Sequence, residues 1–276
     1  MKYFSYILIS TLIIFTFSSK INAQINVIAS IAPIANLASM LLEDKAKVEV
    51  IASSGGCPHH YHAKPSDLKK IKNADLIIYI DADFDGFIAN LTKDHQGNIF
   101  KISDIKNLNL ISDHHNTNWH IWLDLANVRM ILTALADKLI LLFPEHRQMI
   151  IQNLEKAKYK VSALQKFKNE RLSSAIKPAS LAYSLEYFFL GTEIDLIKLN
   201  YNNQNSLKFY LNLEDSLHKS SRKCLIIDND QNIYSFKKLK TNVIQIDPEN
   251  WPVKTGNDFI ASYAKITRQI SSCIDK

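Results

Sequence analysis

After Pro144 the chain runs through residues 145–176 without a single Gly or Pro, and Ile150, Leu154, Ala157, Val161, Leu164 and Phe167 recur along it at helical spacing. A helix of that length is roughly three times the average of about 11 residues, so it is expected to connect two bodies rather than to sit inside one. On its N-terminal side, short apolar segments at 25–31, 47–53, 74–81 and 99–103 alternate with helical patterns at about 33–43, 66–73, 84–93 and 124–143. Beyond Pro178 the alternation resumes, with strand segments near 179–183, 194–200, 223–228 and 243–247 and a last helical pattern at 256–273. Alternation of this kind builds parallel sheets covered by helices. The expected fold class is α/β: two lobes, each a parallel four-stranded sheet with flanking helices, at 24–144 and 177–276, joined by one long rigid helix at 145–176.

The first 23 residues have a different character. Lys2 precedes an apolar stretch from Phe4 to Phe17, and small and polar residues follow as far as Ala23. That order of basic, apolar and small-residue parts is a secretory signal, with cleavage expected after Ala23. About 14 apolar residues fall short of the roughly 20 that a membrane-spanning helix needs. The formal charge is +6, from 33 Lys and Arg against 27 Asp and Glu. Cleavage would remove Lys2 and Lys20 and leave +4. The basic runs at 64–72 and 237–240 carry no interleaved aromatic residues to stack on bases, so nucleic acid is not an expected partner. An exported chain meets an oxidising compartment, which bears on Cys57, Cys224 and Cys273. Cys224 opens an apolar strand segment and Cys273 ends the last helical pattern, so a bridge between them would pin that helix to the sheet. This is the preferred pairing, although spacing alone leaves connectivity open and Cys57, beside His59, is available as a soft metal ligand.

Six of the nine histidines fall in two short loops. The first reads Gly-Cys-Pro-His-His-Tyr-His at residues 56–62, with Lys-Pro-Ser-Asp at 64–67 and Ser66 expected as a helix cap; the second holds His114, His115 and His120. Imidazole is the commonest protein ligand for transition metals. His59, His120 and Asp247 all follow strands or stand at the mouths of connecting loops, where ligands of open α/β sheets bind. A cleft between the lobes would gather them. His60, His62, His114 and His115 read as solvated. Trp119 and Trp122 flank His120 and are expected to keep water from it.

Several segments together carry a resemblance. Ile-Ala-Ser-Ile-Ala-Pro at 28–33, Pro-His-His-Tyr at 58–61 with its Lys-Pro-Ser-Asp, Asn-Ala-Asp-Leu-Ile-Ile-Tyr at 73–79, His-Ile-Trp-Leu-Asp at 120–124 and Ile-Asp-Pro at 246–248 resemble the metal-binding proteins of bacterial ABC uptake transporters for zinc and manganese. The chain is most similar to the zinc-uptake branch, over nearly all of its length after residue 23. The resemblance implies two lobes joined by a long helix, with His59, His120 and Asp247 as metal ligands. The family's remaining ligand, a His or Glu, aligns with Tyr183, which is neither. Water, Glu186, or His60 or His62 could fill that position. The family's C-lobe cysteine pair matches Cys224 and Cys273, and its His-rich loop is reduced here to Asp113, His114 and His115.

The resemblance implies capture of Zn(II), with Mn(II) or Fe(II) as alternatives, in the periplasm and delivery to an ABC permease by a monomer, with no catalytic step. Two imidazoles and one carboxylate suit zinc, while manganese favours more oxygen donors. Two other classes stand beside this reading. One is a diverged paralogue with weak or no metal binding that acts as an adhesin or interaction protein. The other is a zinc hydrolase with Glu186 as its base, although the chain lacks a His-Glu-x-x-His motif.

Overall fold

The computed structural model describes residues 24–52, 61–93, 97–112, 116–172, 178–192, 197–198, 207–219 and 224–275. His59, His60, Cys57, His114, His115 and the signal-like segment 1–23 lie outside the described residues.

The N-terminal sheet is built from β1 (Ile25–Ala29), β2 (Ala46–Val50), β3 (Leu76–Tyr79) and β4 (Asn98–Lys101) in the order β2-β1-β3-β4, all parallel. Val27 pairs with Val48 on one side and Leu76 on the other. The central strands β1 and β3 are mostly apolar, because helices cover both faces of a parallel sheet, while the edge strand β2 alternates Ala46, Val48 and Val50 with Lys47 and Glu49. Val27, Ala29, Leu76 and Ile78 face the main core, while Ile28 and Ile77 face a smaller cluster with Ile51, Ile71 and Ile88.

Helix α1 (Ala32–Leu42) starts with Pro33 in its first turn and buries every residue but Ser39, as expected of a helix packed on all sides. Helix α2 (Pro65–Lys72) follows the first histidine loop. Its start is fixed not by Ser66, which is exposed, but by Asp67, whose carboxylate accepts from the Lys64 backbone N–H and the Tyr61 hydroxyl, each at 2.8 Å. A carboxylate can satisfy two donors at once, and the Ser66 hydroxyl is displaced from that role. Helix α3 (Ala82–Thr92) is capped by Asp81, and α4 (Leu125–Leu142) by Asp124, whose side chain accepts from Ala126 N–H at 2.8 Å. A two-residue antiparallel ladder, β5 (Ile111–Ser112) with β6 (Thr117–Asn118), leads into the segment that carries His120.

Helix α5 (Arg147–Arg171) covers most of the expected long helix, after a 3-10 turn at Pro144–His146. Ile150, Leu154, Ala157, Val161 and Leu164 are buried as their spacing predicts, but Lys168 rather than Phe167 completes the buried face. Near its start, Asn153 donates to the Leu41 carbonyl of α1 at 3.1 Å. Near its end, the Lys168 ammonium donates to the carbonyls of Phe188 and Leu190 at 2.8 and 3.0 Å. One helix thus grips both halves of the chain.

The C-terminal sheet, order β10-β9-β7-β8, is also all parallel: β7 (Ala179–Ser180), β8 (Ile197–Lys198), β9 (Cys224–Asp228) and β10 (Asn242–Ile246). Helices α6 (Leu207–Lys219) and α7 (Asp258–Ile274) accompany it. The disulfide Cys224–Cys273 ties the first residue of β9 to the last turn of α7, with a Cα–Cα distance of 5.4 Å, as the sequence suggests. One apolar core runs without interruption from Val27 and Leu37 through Trp122 and Leu164 to Ile226, Phe259 and Tyr263. Among the described residues, no helix is long and apolar enough to cross a membrane.

Candidate metal-binding site

His120 is approached from both halves of the chain, by Phe84, which follows β3, and by Glu249, which follows β10. The residue stands at the start of a 3-10 turn, Ile121–Leu123, and is 8% exposed. Phe84, just past β3, meets its ring edge-on at a centroid distance of 5.5 Å, and Trp122 lies 5.1 Å away. Trp122 is fully buried and Trp119 half-buried, so the expected dry surroundings of His120 come mainly from Trp122 and Phe84.

Each ring nitrogen has a defined neighbour. Nδ1 lies 2.9 Å from Asn118 Oδ1, which also accepts from the His120 backbone N–H at 3.1 Å. The Asn118 Nδ2 donates to the Tyr183 carbonyl at 2.9 Å, and these contacts together fix which way the amide points. Nδ1 therefore carries the proton, and Nε2 presents its lone pair. This is the way metal-binding imidazoles are oriented from behind. Nε2 faces Glu249 Oε1 at 3.0 Å, across 129 residues of sequence. Burial pushes the His120 imidazole down to about 4, against the opposing pull of the Asp228 and Glu186 charges, so it is neutral near pH 7 and able to bind a metal.

Asp247 is partly buried, and its carboxylate turns back into its own loop. Oδ1 accepts from the backbone N–H of Glu249 at 3.0 Å and of Asn250 at 2.8 Å, while the Asn250 side-chain amide reaches both oxygens. The indole N–H of Trp122 donates to the Pro248 carbonyl at 3.0 Å, and that of Trp251 to the Asp247 carbonyl at 3.1 Å. Tyr183 is 40% exposed and contributes its backbone carbonyl to Asn118. Glu186 is buried in the 3-10 turn Tyr183–Glu186, close enough for its charge to act on His120. Asp228, at the end of β9, accepts from the Ser184 hydroxyl at 2.7 Å, and burial raises its carboxyl to about 6 although Ser184 and His120 oppose the rise. His62 is exposed.

Asn118, Asp228 and Glu249 are absent from the sequence expectations, and so is Phe84. Asp228 carries a signal that could have found it, since it ends the apolar run Cys-Leu-Ile-Ile-Asp, where ligands of open sheets are sought. Among the described residues, no three of His, Cys, Asp and Glu are arranged to hold a metal ion, and the expected ligand His59 lies outside those residues.

Fold and site together define a two-lobed α/β binding protein with an imidazole and several carboxylates gathered where its lobes meet. The chain belongs to the family of the periplasmic component A of zinc-uptake complexes, ZnuA, whose profile matches residues 27–273. It is 39% identical over 262 residues to an uncharacterized protein of Rickettsia prowazekii, covering 94% of this chain and 86% of that one. It is 22% identical over 313 residues to the high-affinity zinc uptake system protein ZnuA of Haemophilus influenzae, covering 91% of this chain and 93% of the relative. A crystal structure of ZnuA superposes with a TM-score of 0.80 at 18% identity, covering 91% of this chain and 99% of the other, a likeness that speaks for the fold.

Proposed function

We propose that the protein captures a divalent transition metal between its lobes, zinc ahead of manganese or iron, and hands it to an ABC permease in the inner membrane. The observation that carries this reading is the His120 imidazole, held from behind by Asn118 with Nε2 aimed at a carboxylate 3.0 Å away. Membership of a zinc-uptake family supports it. In the proposal, His59 and His120 supply the imidazoles, and the 247–249 turn, where Asp247 is the expected ligand, supplies a carboxylate. Glu186, Tyr183 or His60 completes the set. Residues 1–23 act as a cleaved signal that sends the chain to the periplasm. Residues 24–144 and 177–276 form the lobes, with 145–176 as the linking segment, and a monomer suits delivery to a permease. No covalent step is needed, and the protein is read as a carrier rather than an enzyme.

Calorimetric titration of the purified, metal-stripped protein with Zn(II) and Mn(II) tests the proposal, alongside His59→Ala and His120→Ala. One tight zinc site in the parent, lost in both variants, is expected. A parent that binds neither ion tightly would overturn metal capture and leave an interaction scaffold.

A further inference from the structure

We propose that Glu249 is the carboxylate ligand of the captured metal and that Asp247 is the residue that holds it in position, an inference that rests on the metal-capture reading above.

The distances separate the two acids. Asp247 Oδ1 takes three N–H donors from Glu249 and Asn250, and its Oδ2 takes the Asn250 amide at 3.1 Å. Its lone pairs are directed into the turn. This arrangement is an Asx-type turn, in which a side-chain carboxylate replaces a backbone acceptor and fixes the residues that follow. Glu249 is the second of those residues. Its side chain leaves the turn toward His120, and the residue is only 6% exposed. The turn is clamped from outside as well, by the indoles of Trp122 and Trp251 on the carbonyls of Pro248 and Asp247.

The spacing of the pair suits two ligands of one ion. Asn118 holds the proton on Nδ1, so Nε2 turns its lone pair toward Glu249 Oε1, 3.0 Å away. A metal ion lodged between them would take one lone pair from the imidazole and one from the carboxyl group. Zinc binds imidazole nitrogen at about 2.0–2.1 Å and carboxylate oxygen at about 2.0–2.2 Å, which sets neighbouring donors of one tetrahedral ion roughly 3.3 Å apart. The His120–Glu249 pair needs only a few tenths of an ångström of movement to reach that spacing. A carboxylate from this turn also supplies an anionic oxygen to a donor set in which the position expected for a His or Glu is the 40% exposed Tyr183.

The test uses the whole protein and two probes, Zn(II) by calorimetry and Co(II) by visible absorption, whose band positions and intensities report the coordinating atoms. Glu249→Gln keeps the shape and removes the charge; Asp247→Asn keeps an acceptor for the turn. Losing an outer partner of a ligand costs about 10–100-fold in affinity, and losing the ligand costs more. Glu249→Gln is therefore expected to weaken zinc more than about 100-fold and to change the Co(II) bands. Asp247→Asn is expected to stay within about 100-fold and to leave the band shape as in the parent. Should the Gln variant lose its parental circular dichroism, Glu249→Asp takes its place, with altered Co(II) bands again expected. Parental zinc affinity and parental bands in the Glu249 variant would overturn the assignment, as would altered bands in Asp247→Asn alone, and metal capture would survive either result. Loss of metal binding by the parent itself would overturn both.

Discussion

Asp85 shows how a single buried carboxyl can set a pH dependence. It lies at a non-helical kink inside α3, with φ −119° and ψ 46°, and is fully buried. Its two oxygens accept from the backbone N–H groups of Ile80 at 2.9 Å and Asp81 at 3.0 Å, which closes the turn between β3 and α3 and so positions Phe84 against His120. Burial raises its carboxyl from 3.8 to about 6, even though those backbone donors pull the other way. An acid whose folded pKa lies above its unfolded one keeps its proton longer in the folded chain. Stability from this group is thus fully present below about pH 4 and is lost as pH rises toward 6. A rise of that size is worth roughly 3 kcal/mol at most. In Asp85→Asn the decline should vanish: urea unfolding at intervals from about pH 4 to about pH 6.5 should give a slope more positive by one proton than in the parent. Identical slopes would mean that Asp85 titrates alike in both states. His120 works in the opposite sense. Its folded pKa is lowered from 6.5 to about 4, so its contribution is present above pH 6.5 and is lost as pH falls toward 4.

At the scale of elements, hydrophobic pattern is legible wherever the partners are close in sequence. The N-terminal helices are expected at 33–43, 66–73, 84–93 and 124–143 and occur at Ala32–Leu42, Pro65–Lys72, Ala82–Thr92 and Leu125–Leu142. The same pattern overextends the strand ends: β3 stops at Tyr79, because Ile80 and Asp81 turn to donate to Asp85. What the pattern does not carry is polar meaning supplied from afar. Glu249 gains its place from His120, 129 residues away, and no local periodicity marks it. Lys168 is the clearest instance on a helix. It sits four residues after Leu164, on the buried stripe of α5, yet reads as a solvated residue by type. The carbonyls it satisfies belong to the turns that follow β7, and burial lowers its ammonium to about 8. Lys168→Met keeps the stem and strands both carbonyls, and a buried unsatisfied acceptor costs about 1–3 kcal/mol. Release from burying the charge offsets part of that, so a net loss of about 2 kcal/mol is expected as a lower urea midpoint at unchanged slope. A variant as stable as the parent would mean that burying the ammonium costs as much as its two hydrogen bonds return.

For the molecule as a whole, the continuous core decides how the halves behave. Two lobes with separate cores and a bare linker would unfold independently. Here α5 buries residues from Ile150 to Lys168 against both halves, and the same apolar cluster contains Val27, Trp122 and Tyr263. The Tyr263 hydroxyl of α7 donates to the Leu123 carbonyl at 2.8 Å, and Asn36 of α1 donates to the Pro252 carbonyl at 3.0 Å, so polar ties cross the seam in both directions. Thermal unfolding should therefore be one transition, the same by tryptophan fluorescence, which senses Trp119, Trp122 and Trp251 near the seam, as by far-ultraviolet circular dichroism. The disulfide sharpens the test, because Cys224 and Cys273 belong to that shared core and close a loop of 49 residues. Loop-closure entropy gives it about 4 kcal/mol of stabilisation. For a chain of this size that amounts to a fall in Tm of about 10 °C on reduction. If the halves are one cooperative unit, the fall should appear equally in both signals. If instead the circular dichroism splits into two steps while the fluorescence keeps its original midpoint, the C-terminal sheet unfolds by itself, and the shared core does not couple the lobes.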